Sequence, residues 1–220
     1  VRRDPVGLAP IRGTDLFLHA TGVVRLADPI VTVWPHAAPQ VHHAVAVPLP
    51  GDRPPALVLG RAWPRLGFRR LDPAADGVLH ESAAHAGTDA AASSFEASWV
   101  GDLDGDGRVE LFAALGPWSA FDLRVFRPDE GGALELVARE SVGFVVAMTV
   151  VRVGDERLLA VVHDDRAPAP RRFPDPPHTG WPAGLHLLRW TGAALEPVEH
   201  VPFPASSVAP QASVPQLGAG

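Results

Sequence analysis

Residues 102–110 read Asp-Leu-Asp-Gly-Asp-Gly-Arg-Val-Glu, and no other stretch restricts the fold as tightly. Carboxylates at every second position, followed by Asp-Gly, are the pattern a hard, oxygen-seeking cation requires, and Ca2+ fits it best. Asp102, Asp104 and Asp106 can turn inward from one tight loop, Gly107 permits the sharp turn, Arg108 offers a backbone carbonyl and Glu110 closes the shell. The bland alternative, an acidic surface turn without an ion, leaves three converging carboxylates repelling one another. The flanks decide what kind of loop this is. An EF-hand needs a bidentate Glu at its twelfth position and a helix on each side, but the twelfth position counted from Asp102 is Ala113. Strand patterns stand there instead: residues 95–100 lead in, and 109–115 leave as an apolar run stopped by Gly116 and Pro117.

A strand, an acidic loop and an apolar strand make a hairpin whose turn is held by a metal. In this respect the run from Trp99 through Asp102, Asp104, Gly105, Asp106 and Gly107 to Phe112 resembles the FG-GAP and VCBS repeats, the calcium-loop repeats of integrin-alpha-like β-propellers. Their signature is a strand, Asp-x-Asp-Gly-Asp-Gly-x-x-Asp, and a second apolar strand. Glu110 stands where the signature has its last Asp, which lengthens the arm and keeps the charge. The resemblance implies a β-propeller with a structural Ca2+ held by Asp102, Asp104, Asp106, Arg108 and Glu110. It also implies a non-enzymatic binding or scaffold module.

Propeller blades recur at roughly 50 residues, and weaker copies of the hairpin follow that spacing. Residues 44–47 and 56–59 flank a Pro50-Gly51-Asp52 turn, and aligning Asp52 with Asp106 gives an offset of 54. Residues 147–151 and 158–162 flank Gly154-Asp155, at an offset of 49. Pro48 and Pro50 replace the first two Asp in one copy and Val151 and Val153 in the other, so a single cation site is expected. Each hairpin is followed by a second strand pair: 67–71 with 78–80, 122–126 with 133–137, and 185–190 with 195–198.

The expected fold is therefore all-β, a propeller or partial propeller of about three to four four-stranded blades. Residues 1–40 form a partial blade with strands near 15–19, 23–26 and 30–34. Blades follow at about 41–90, 95–140 and 144–201 within 41–204, and 205–220 is a Pro/Ala/Ser-rich tail. A β-sandwich of about a dozen strands is the rival architecture. The 24 prolines and 21 glycines among 220 residues suit short strands and turns and leave little room for long helices.

Charge and residue usage exclude some functions. A net charge of −6 argues against a nucleic-acid surface, which needs a basic face. No apolar run approaches the roughly 20 residues of a spanning helix. All 19 basic residues are Arg, and Lys, Asn, Tyr and Cys are absent, a bias expected of a GC-rich bacterial genome. Lacking Cys, the chain has no disulfide or thiol chemistry, and calcium supplies the brace instead. Such a site is filled outside the cytoplasm, so an extracellular or periplasmic setting is expected. The chain starts at Val1 without a signal-peptide pattern, which fits a processed secreted protein or a fragment.

Three further constellations carry weaker signals. The long stretch 163–181 holds His163, Asp164, Asp165 and His178, whose spacing matches no compact metal pattern; a Pro-stiffened loop that packs on a partner is the simpler reading. His36, His42, His43, His80 and His85 are expected at the surface or rim. Trp63, Trp99, Trp118, Trp181 and Trp190 recur near strand ends, where they pack between blades. No Gly-x-Ser-x-Gly elbow accompanies Ser98 or Ser119. Closed propellers need four to eight blades, and a short set with an open edge points to a protein partner. The alternative is a carbohydrate-binding or enzymatic propeller with a pocket built by 163–181.

Overall fold

Strand-forming runs broken every few residues by Gly and Pro become antiparallel meanders. The computed structural model describes residues 9–11, 14–19, 22–25, 31–35, 41–61, 67–74, 78–82, 95–115, 122–143, 145–163 and 181–203. Sixteen strands are present among them, arranged as four sheets of four. Sheet one holds β1 (Ala9–Pro10), β2 (Leu16–His19), β3 (Gly22–Arg25) and β4 (Val31–Pro35). Sheet two holds β5 (Val41–Val47), β6 (Ala56–Arg61), β7 (Gly67–Pro73) and β8 (Leu79–Ser82). Sheet three holds β9 (Phe95–Gly101), β10 (Glu110–Leu115), β11 (Asp122–Pro128) and β12 (Leu134–Ser141). Sheet four holds β13 (Val145–Val153), β14 (Glu156–His163), β15 (Gly184–Trp190) and β16 (Leu195–Pro202).

Within every sheet each strand pairs antiparallel with the next in sequence, and no strand crosses over. The described residues contain no helix. Four sheets replace the two of a β-sandwich. The N-terminal unit gains β1, which sequence patterning did not mark, because two residues ending in a proline carry no period. Stretch 164–180, with Asp164, Asp165 and His178, and the tail from 204 lie outside the described residues, as do His36, His85, Trp63 and Trp118.

Alternation along the strands sends side chains to two different neighbours. In β10, Leu111, Ala113 and Leu115 join Val47 and Val58 of sheet two, together with Phe126 and Leu134. Phe112 and Ala114, between them in sequence, join Leu159, Val161, Leu188 and Trp190 of sheet four. All six residues of β10 are buried, which is why it reads as an unbroken apolar run. Leu57 and Leu59 of β6 likewise pack with Ile11, Leu16 and Val23 of sheet one. Apolar clusters therefore join the sheets in sequence order, one to two, two to three and three to four. The first strands adjoin as well, with β9 lying against both β5 and β13.

Candidate metal centre

The acidic run closes the first hairpin of sheet three, connecting the paired residues Gly101 and Glu110. Two tight reversals form it, with Gly105 and Gly107 at φ of 82° and 85°, a region closed to most side chains. Asp102 organises the turn. Its Oδ1 accepts from the Gly105 N–H at 2.6 Å and its Oδ2 from the Gly107 N–H at 3.0 Å. Asp104 Oδ1 accepts from the Asp106 N–H at 3.4 Å, and Asp106 Oδ1 from the Arg108 N–H at 2.8 Å.

The loop brings one carboxylate oxygen each of Asp102, Asp104 and Asp106 within 4.8 Å of one another, a cluster that can hold a metal ion. Two like charges about 4 Å apart repel by roughly 1 kcal/mol even in water, so the cluster favours a cation at its centre. Asp104 and Asp106 are exposed, which leaves the site open to ions from solvent.

The side chains of Arg108 and Glu110 engage partners of their own. The Arg108 side chain folds back on Asp106, with Nε 2.9 Å and Nη2 2.7 Å from Oδ2. This guanidinium holds the Asp106 carboxyl below the usual carboxylate range, and Asp106 in turn raises the Arg108 pKa. Glu110 is fully buried beneath the loop and outside the three-Asp cluster. Its Oε1 accepts from Arg127 Nη2 at 2.5 Å and Nε at 3.1 Å, and its Oε2 has no hydrogen-bond partner. Burial raises the Glu110 pKa, against the opposing pull of Arg127 and of the Leu103 N–H. Arg127 also approaches Asp106 Oδ2 at 3.8 Å, so one guanidinium serves the loop and the carboxylate below it.

Sequence reasoning missed Arg127, which lies 17 residues from Glu110. The signal existed in the strand register: pairing of Leu111 with Phe126 sets Arg127 opposite Glu110, a cross-strand charge pair. Ala113, the twelfth loop residue, is buried in the core, and strands flank the loop, so the EF-hand frame is excluded.

The two weaker copies occupy the same place in their sheets. They join β5 to β6 and β13 to β14, each with a glycine at positive φ, Gly51 and Gly154.

Of the histidines expected at the surface or rim, His80 is exposed, and the buried ones lie elsewhere in the chain. His163 and His186 are buried and His200 half-buried, all in sheet four. His163 Nδ1 and His186 Nε2 lie 3.2 and 2.8 Å from the Pro182 carbonyl oxygen, and the His186 ring stacks on His200 at 4.5 Å. Trp99 and Trp190 flank Phe112, each with ring centroids 5.7 Å from it, in the apolar cluster between sheets three and four. No protein-family model matches the chain, and none of the curated proteins matches it either.

Proposed function

We propose that the chain is a calcium-braced β-propeller, or propeller segment, of the FG-GAP and VCBS kind. In this reading it is a non-enzymatic module that binds a protein partner in an extracytoplasmic setting. The observation that carries it is the three-Asp cluster on the first hairpin of a four-stranded meander. Sheets joined face to face in sequence order, with first strands adjoining, support a radial arrangement. Carboxylate oxygens with exposed access suit Ca2+ over softer metals. A protein partner is supported by Val198, Val201 and Phe203, which stay 41–47% exposed along and just past β16, the outer edge of sheet four.

Calcium titration tests the metal. Saturating Ca2+ raises the melting temperature, by about 2–4 °C for each kcal/mol of binding stabilisation in a chain of this size. In Asp104→Ala the calcium-dependent rise disappears while the calcium-free melting temperature barely moves. A wild-type chain indifferent to Ca2+ rejects the reading. Light scattering with a candidate protein ligand, with Val201→Asp as the comparison, tests the partner.

A further inference from the structure

The acidic loop touches more than its own sheet. A β-carbon added to Gly192, in the turn between β15 and β16, would lie 3.0 Å from Asp104 Oδ2. One added to Gly105 would lie 3.5 Å from Arg157 Nη2 of β14. Sheet four therefore walls one side of the loop. The turn that does so is internally braced, with the Ala194 N–H donating to Thr191 Oγ1 at 3.1 Å and the Thr191 N–H donating to the Ala194 carbonyl at 3.1 Å.

The same interlock occurs one sheet earlier without an acidic cluster. Gly132, in the turn between β11 and β12, is so placed that an added β-carbon would lie 2.9 Å from Arg53 Nη1 and 3.4 Å from Leu49 Cδ1. Both residues belong to the turn between β5 and β6. In each case the last turn of one sheet seats on the first turn of the sheet before it. Between sheets two and three the seat is an Arg and a Leu; between three and four it is a carboxylate of the Asp cluster. A second observation points to a cation at the latter seat. The Oε2 of fully buried Glu110, at the closing end of the loop, has no hydrogen-bond partner, and the same carboxylate shares Arg127 with Asp106.

We propose that the cation site is an inter-sheet clasp: a divalent cation held by Asp102, Asp104 and Asp106 fixes Asp104 against the Thr191–Gly192 turn and so locks sheet four onto sheet three. This rests on the metal reading above. The cation supplies the order that Arg53 and Leu49 supply at the neighbouring seat.

Two glycine variants of the full chain separate the clasp from simple turn strain. Gly192 and Gly154 both sit at positive φ in turns of sheet four, but an added β-carbon at Gly154 meets nothing within 4 Å. Calorimetric titration with CaCl2 alone is expected to show ~10-fold weaker binding for Gly192→Ala and a change under ~2-fold for Gly154→Ala, ten-fold being about 1.4 kcal/mol. Hydrogen exchange on the wild type is expected to slow on calcium addition at residues 190–195 as well as in 102–110. Calcium binding with protection confined to 102–110, or equal losses of affinity in the two variants, overturns the clasp while leaving the metal site standing. No heat of binding in the wild type overturns both.

Discussion

A buried carboxylate persists only where charge is returned to it. Asp122 is 1% exposed and accepts from Arg124 Nε at 3.2 Å and Nη2 at 3.1 Å, with Arg139 pairing to the same carboxylate. Arg124 is as deeply buried as its partner. Neutralising one side of a buried ion pair removes the charge that offsets the other, so Asp122→Asn is expected to destabilise the chain by about 3–5 kcal/mol. Urea denaturation checks this, and a loss below ~1 kcal/mol would contradict it. Arg108 presents the opposite case, an exposed cation lying on a carboxylate of the proposed metal site. Freeing Asp106 by Arg108→Ala is expected to tighten Ca2+ binding ~2–5-fold, in keeping with the small worth of exposed ion pairs. Calorimetry reads the direction directly, and weaker binding would assign Arg108 a supporting role.

Among the elements, β10 and β14 carry the core, because each sends alternate residues to opposite sides. Phe112 packs against Trp99 and Trp190 and is fully buried, so Phe112→Ala is expected to cost about 3–5 kcal/mol, measured by denaturant unfolding followed by tryptophan fluorescence. Sheet four adds a dependence on pH. Burial pushes the His186 imidazole below its ordinary value, the nearby His200 and His163 push the same way, and the Pro182 carbonyl opposes them. The unfolded chain then binds the proton more readily than the folded one. Stability from this group is complete above the ordinary value of about 6.5 and falls as pH drops through the folded value. Melting temperatures at pH 7.5 and 5.5 are expected to differ accordingly, with the gap narrowed in His186→Phe.

How much of this was written locally follows from the same elements. Both strands of all three hairpins were legible, since apolar runs bounded by Gly, Pro and Asp specify strands wherever burial agrees with the pattern. The Asp cluster was legible because its carboxylates lie two residues apart on one loop. Arg127 and Gly192 were not, for their meaning comes from register and from the packing of one sheet on another. Buried His163 and His186 escaped for a related reason, as a polar side chain in a strand declares no face until its neighbours are known.

At the scale of the whole molecule, each sheet has an identity of its own and a fixed neighbour on the described faces. Edges are managed residue by residue. Pro197 and Pro202 interrupt the outer strand β16, where a continuous row of donors would invite another chain. Glu196 and Glu199 add like charge along the same strand. The unbroken meander has a kinetic consequence. Because every pairing joins strands adjacent in sequence, each sheet can zip up from local loop closures, the longest within a described sheet being the stretch between β14 and β15, and the topology demands no slow search for distant partners. A growing chain can therefore complete sheet one before sheet two has emerged, and each later sheet can dock on the one already formed.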